Sequence, residues 1–379
     1  MLSVVAGRMV PVGRTDETTF REPGGPHSRF RPSRMAMVVV GGRMRFLARG
    51  LAGLAFLSFV VWGGLALAIS GPRPDGLARA LAAAWVLGMA LAAFFVRPAW
   101  VAALGCAALS AMLLLWWGTV RPSNDRDWQV DVARAPWTER NGDLLTIHGV
   151  RNFRYRSPDD FDPRWEDRTY DLSKIVGLDL ALSYWGPTAI AHAIMIWEFA
   201  DGQFLPISIE TRKEKGEEYS ALAGFFRKYE IVYVPADEHD LVLLRTNHRR
   251  ENVYLYRLAT SPGNARRLLE VYAADMDRLA KQPEFYNAVT TNCTTQVFRN
   301  FRALGIPVPL DWRIFANGHL DELLWEIGAI SREAPFDEIR HRSSIDDRAH
   351  ACGDVPEYSS RIREGLPARP SHPAYDSAP

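Results

Sequence analysis

Tyr286-Asn287-Ala288-Val289-Thr290-Thr291-Asn292-Cys293-Thr294-Thr295 is where this chain passes from strand-forming to helix-forming sequence. Asn is a residue type that caps helices. After it, Val297, Phe298, Phe301 and Leu304 fall on one helical face, until Gly305 and Pro307 stop the run. The spacing therefore puts Cys293 in the first turn of a helix. Backbone N–H groups and the positive end of the helix dipole favour thiolate over thiol there, and thiolate is the nucleophile. Upstream, Ala191-His192-Ala193-Ile194-Met195-Ile196-Trp197-Glu198-Phe199 reads as a strand with one histidine on it. Cysteine with histidine is the smallest apparatus for acyl transfer or amide hydrolysis through a thioester.

Working outward, Asp201-Gly202 separates that strand from a second at 205–211, which is a hairpin signal. Residues 229–234, 240–245 and 252–258 continue the strand pattern between charged turns. Residues 170–182 read as a short strand or helix, and 121–160 as an irregular lead-in with Trp128, Trp137 and Ile147 as scattered anchors. Ser261-Pro262 opens a helix whose Ala265, Leu268, Leu269, Tyr272, Met276 and Leu279 share a face, and 320–327 supplies another. After Pro335 no periodic run is long enough to pack. The fold class is α+β: an antiparallel strand block carrying the histidine, then packed helices carrying the cysteine.

The N-terminal third has a different character. With 379 residues the chain has room for one or two domains, and its 47% apolar content is unevenly spread. Residues 51–70 carry no charge and are long enough to cross a bilayer; 81–96 and 99–120 are two further apolar runs, the last ending in Trp116-Trp117. Three transmembrane helices are expected. Arg8, Arg14, Arg21, Arg29, Arg31, Arg34, Arg43 and Arg45 precede the first, which places that end in the cytoplasm and everything after 120 on the far side of the bacterial inner membrane, in the periplasm. Arg97 in the cytoplasmic turn agrees with this orientation; Arg73 and Arg79 near the outer turn do not. The expected organisation is a basic, disordered cytoplasmic segment at 1–45, spans within 46–120, a periplasmic domain at 121–335 and a mostly disordered polar tail at 336–379. Met35 and Met37 are alternative initiators.

A net charge of +1 gives no reason to expect a nucleic-acid partner. Cys106 reads as an apolar filler of the third span, whereas Cys293 and Cys352 share a compartment in which pairing is chemically open to them. Glu210 and Ser208, on the partner strand of the hairpin, are candidates to orient the His192 ring; a surface pairing of Glu210 with Arg212 is the alternative. Asn292 and Thr294 belong to the helix cap, whose N–H groups suit an oxyanion. Asp237-Glu238-His239-Asp240 reads as a solvated turn. Neither a His-Glu-x-x-His nor a paired Cys-x-x-Cys pattern occurs, so no metal and no cofactor are expected.

Several blocks occur together and in order. They include Ile207-Ser208-Ile209-Glu210-Thr211-Arg212, Gly216-Glu217-Glu218-Tyr219-Ser220, Gly224-Phe225-Phe226-Arg227-Lys228-Tyr229-Glu230, Leu244-Arg245-Thr246-Asn247 and Phe285-Tyr286-Asn287 with Thr291-Asn292-Cys293-Thr294-Thr295. Over about 145–330 the chain resembles the Lnb N-terminal periplasmic domain family. That family is similar to circularly permuted, NlpC-type papain-like enzymes, in which histidine precedes cysteine, as here. The resemblance implies a thiol acyltransferase with Cys293 as nucleophile and His192 as base. It implies as partners a phospholipid or lipoprotein substrate and the bilayer, since the named member acylates the N-terminal amine of bacterial lipoproteins. Here the spans precede the domain, whereas in the name-giving members they follow it. A peptidoglycan amidase or endopeptidase with the same dyad is the first rival; a catalytically silent membrane-anchored binding module is the second.

Overall fold

The computed structural model describes residues 34–306, 309 and 311–371. Contacts divide the chain into two units, 1–59 and 60–379. Three helices open it: α1 (Arg34–Ser70), α2 (Asp75–Phe95) and α3 (Ala99–Thr119). Their segments Met44–Ser70, Asp75–Phe95 and Ala99–Thr119 are long and apolar enough to cross a membrane; 21 residues at 1.5 Å each reach roughly 30 Å. Within 1–59, residues 34–59 are helical. The disorder expected for 1–45 therefore fails for 34–45, because no proline interrupts residues 34–70; 1–33 lie outside the described residues.

In the second unit, Trp85 donates its ring N–H to Val60 O at 2.8 Å, and a Cβ at Gly63 would meet Trp85 and Leu113 at under 3 Å. The helices thus touch through small residues. Leu87, Leu91, Phe94, Leu104 and Leu115 face outward, a surface suited to lipid rather than water. Arg73, between α1 and α2, pairs with Glu214 at 2.9 Å and Glu217 at 3.2 Å. One of the two arginines that sat poorly with the charge rule is thus neutralised by the domain that follows the third helix.

The irregular lead-in expected over 121–160 ends at Trp137, where strands begin: β1 (Trp137–Asn141), β2 (Leu144–Arg151), the short pair β3 (Arg154–Tyr155) and β4 (Phe161–Asp162), and β5 (Trp165–Asp171). Hydropathy does not mark β1, since its residues lie largely at the surface while β2 supplies buried Leu145, Ile147 and Val150. Gly142, at φ 62°, makes the turn between them. Next come β6 (Ile175–Tyr184), β7 (His192–Phe199), β8 (Phe204–Arg212) and β9 (Glu230–Pro235), then α4 (Glu238–Leu243) and β10 (Asn252–Arg257). The five form one antiparallel sheet in the order β10-β6-β7-β8-β9. A strand had been expected at 240–245. Leu241 to Leu244 are all buried, and a continuous apolar run has no period with which to tell helix from strand.

Both faces of the sheet are covered. Ala193, Met195 and Trp197 point to one side, against Leu268, Leu269 and Tyr272 of α5 (Pro262–Lys281) and Val297 of α6 (Cys293–Ala303). Ile194 and Ile196 point to the other, against Leu241 and Val242 of α4. After α7 (Leu320–Glu326), the presumed disordered tail instead forms α8 (Phe336–Ser343), α9 (Asp346–Cys352) and α10 (Tyr358–Arg361). Ile345, Ala349, Tyr358 and Ile362 close the second face. Nor is 237–240 a solvated turn. Glu238 takes two bonds from Arg363 at 2.7 and 2.8 Å, and buried Asp240 takes Arg151 at 2.6 Å. These partners are remote in sequence, so the local charge pattern could not reveal them. All three cysteines are free, so Cys293 and Cys352 do not pair.

Candidate active site

Asn287 starts the approach to the cysteine by accepting the N–H groups of Val289 and Thr290 at 3.0 Å each, a side-chain turn typical of Asn. Asn292 then caps α6 reciprocally: its Oδ1 accepts from Thr295 N–H at 2.8 Å, and its own N–H donates to Thr295 Oγ1 at 3.0 Å. Cys293 and Thr294 occupy the first two helical positions, and their N–H groups make no hydrogen bond among the described residues. The expected role of Asn292 is thus divided. Its own N–H is occupied by the cap, and the free donors are those of the next two residues.

His192 is the first residue of β7, opposite Ser183 of β6. Its Nε2 lies 2.6 Å from Ser208 Oγ and 3.2 Å from Glu210 Oε1. Ser208 gives its single proton to Glu210 Oε1 at 2.7 Å, so its lone pair accepts Nε2–H and Nδ1 is left for the thiol. Glu210 is held in turn by Arg245 Nη2 at 3.0 Å, and Arg245 donates to Leu241 O at 3.0 Å. Both candidates for orienting the ring therefore do so. The alternative pairing of Glu210 with Arg212 does not form, because Arg212 is buried against Val132 O, Ala133 O and Asn124, with its guanidinium over Trp128.

The thiol of Cys293 faces the His192 ring, the backbone N–H of Ala193 and the hydroxyl of Thr294. Burial, the largest single influence, lowers the His192 pKa, but the Glu210 charge together with the interactions with Cys293 and Glu210 outweighs it and pushes the ring up to about 9. Burial raises the thiol, yet the hydrogen bond and charge of His192 bring it below its ordinary value. Glu210 stays well below the usual carboxylate range despite burial, through His192 and then Arg245. All three shifts favour a thiolate beside an imidazolium with a carboxylate behind it.

Five further residues escaped the sequence reading. Arg245 is one. Asn317 brackets Ala191, accepting its N–H at 2.9 Å and donating to its carbonyl at 2.5 Å, and it also donates to Thr294 Oγ1. It therefore clips the strand start beside the histidine to the helix start beside the cysteine. Gly318 permits this approach: a Cβ there would lie 1.9 Å from Thr188 O. Tyr219 and Tyr286 line the cleft beside the thiol; burial first, and then the Cys293 charge, raise the Tyr286 hydroxyl. Tyr219, Arg245 and Tyr286 stand within the blocks that carry the resemblance, which was the available signal. Dyad and supports line a cleft of about 430 Å³, with Trp185, Ile190, Phe225 and Phe315 on its apolar walls and Lys213, Arg249 and Glu251 among its charged ones. Among the described residues, no group of three or more His, Cys, Asp or Glu side chains is placed to hold a metal ion.

Fold and site together define a mixed helix-and-sheet domain behind three apolar helices, with a cysteine–histidine pair backed by serine, glutamate and arginine. Residues 161–318 match the model of the family described as the Lnb N-terminal periplasmic domain. That span runs from before His192 to Gly318 and takes in every residue of the array. Comparison with curated proteins and with solved structures gave no match.

Proposed function

We propose that this chain is a membrane-anchored cysteine acyltransferase of papain-like type, acting in the periplasm at the bacterial inner membrane. The observation that carries the reading is the hydrogen-bonded chain His192–Ser208–Glu210–Arg245 behind Cys293, at a cleft with apolar walls. The Cys293 thiolate attacks the carbonyl of an ester-linked acyl chain on a phospholipid. The Cys293 and Thr294 N–H groups receive the developing oxyanion. As the carbon–oxygen bond breaks, the His192 imidazolium protonates the departing alkoxide, leaving a thioester on Cys293 and a neutral ring. An amine then attacks the thioester. His192 takes the amine proton, the carbon–sulfur bond breaks, and the amide product leaves behind the original ion pair. A lipoprotein N-terminus is the acceptor that the sequence resemblance implies.

The charged part of the cleft, Lys213, Arg249 and Glu251, supports a second reading, in which the same dyad cleaves peptidoglycan peptides. A silent binding module has no use for a histidine whose charge is sustained from behind. Intact mass separates the readings. With phospholipid supplied and amine withheld, acyl transfer leaves a fatty-acyl adduct on the Cys293 peptide that neutral hydroxylamine removes, and Cys293→Ser or His192→Ala abolishes it. Absence of any adduct, with muropeptides cleaved in a Cys293-dependent way, would transfer the assignment to the hydrolase.

A further inference from the structure

We infer that residues 219–225 form a lipid-contacting rim, seated in the interfacial layer of the bilayer that the three helices cross, through which the cleft opens sideways to lipid. The surface deepens the acyl-transfer reading, since it names a bilayer-resident lipid as the molecule that enters. Its evidence is nevertheless positional and independent of the chemistry. Phe225 lines the cleft together with Cys293 and His192. The carbonyl of its neighbour Phe226 accepts a hydrogen bond from Ser70, the last residue of α1. The next residue, Arg227, donates to Trp117 O at 2.9 Å, and its guanidinium sits 4.6 Å from the Trp117 ring in the last turn of α3. Consecutive Cα atoms are about 3.8 Å apart, so one wall of the cleft stands within two residues of the ends of two spans.

The segment is built to present apolar groups there. Leu222 is 50% exposed and Phe225 48%. They are held outward by a tight turn, with Phe225 N–H on Leu222 O at 3.1 Å and Phe226 N–H on Ala223 O at 2.9 Å. Ala288 N–H on Gly224 O, at 3.3 Å, joins this turn to the loop that delivers Cys293. Trp116 and Trp117 lie at the same level, where aromatic side chains settle at membrane surfaces, and Arg121 is exposed just beyond them to meet headgroups. A water-soluble substrate would give no reason to place exposed leucine and phenylalanine beside the ends of membrane helices.

The test uses the full chain in nanodiscs of phosphatidylethanolamine and phosphatidylglycerol, with the photo-crosslinker p-benzoylphenylalanine at position 222 or 225. A comparison protein carries it at Leu144, an apolar residue of similar exposure (45%) on the other sheet. Phospholipid-mass adducts at 222 and 225 are expected at least tenfold above those at 144. Equal yields, or crosslinks to a polypeptide alone, overturn the rim. If both photo-variants fail to fold, as judged by lost alkylation of Cys293, hydrogen exchange on the unsubstituted protein decides. Amides of 219–226 then exchange at least several-fold more slowly in nanodiscs than in amphipol, and equal rates overturn the proposal. Lipid crosslinks without a Cys293 thioester would keep the rim and remove the acyl-transfer reading; a thioester without crosslinks would do the reverse.

Discussion

Replacing Glu210 by Gln keeps the shape of the group behind His192 and removes its charge. Burial alone would lower the imidazole; the Glu210 carboxylate, 3.2 Å from Nε2, is the main influence that, with Cys293, raises it to about 9 from an ordinary 6.5. That difference corresponds to about 3 kcal/mol in favour of the imidazolium. In Glu210→Gln, burial and the nearby Arg245 act downward against the Cys293 interaction alone, so the ring is expected to fall to about its ordinary value. His192 is charged below its pKa and neutral above it. At pH 7.5 the charged share therefore drops from nearly all to roughly a tenth. The thiol loses its counter-charge and its own pKa climbs. The assay is the rate of Cys293 alkylation by iodoacetamide between pH 5 and 10, read at the level of the Cys293 peptide. The unsubstituted protein should already react at its full rate near neutrality. Glu210→Gln should react about tenfold more slowly at pH 7.5 and recover only on the alkaline side. Superimposable pH profiles would refute the claim that Glu210 holds the imidazolium charged.

Gly318→Ala forces a Cβ to within 1.9 Å of Thr188 O, so the backbone at Asn317 must move; a stability loss of about 1–3 kcal/mol in thermal unfolding and at least a tenfold loss of turnover are expected, and an unchanged protein would show that the clip is dispensable. Arg363→Ala leaves both carboxylate oxygens of buried Glu238 without a partner; denaturant unfolding should register about 3–5 kcal/mol, with the Cys293 alkylation rate of the folded protein unaltered, whereas a loss under 1 kcal/mol would make the ion pair incidental.

The dyad could be read from sequence because each member carries its own local context. Asn292 is a cap residue directly ahead of Cys293, and His192 begins an apolar strand. Ser208 and Glu210 were readable as a pair because residues two apart on a strand share a face, although only the β7–β8 register brings them to Nε2. Arg245 and Asn317 were not, since each reaches the site from a remote segment and neither sits in a pattern that hydropathy can mark. Among the elements, α4 was mistaken for a strand because four consecutive buried residues hide the helical period. The C-terminal helices were missed for the opposite reason. They span eight, seven and four residues and spread their few apolar side chains thinly among charges, so no window shows a face. Their burial is visible only from the sheet they cover.

Arg369 reaches back to the start of the central sheet, where it donates to Leu178 O and pairs with Asp179 at 2.9 Å and Glu198 at 2.7 Å; a Cβ at Gly177 would collide with its guanidinium. Its partners are made when about half the chain has been synthesised, and the arginine itself comes nearly two hundred residues after the first of them. Asp179 and the sheet face around it therefore stay incompletely satisfied until almost the whole described chain has left the ribosome. Completion of the domain waits on that late arrival. Any recombinant boundary drawn at 335 would strip the sheet of one covering layer while leaving the cysteine and histidine in place.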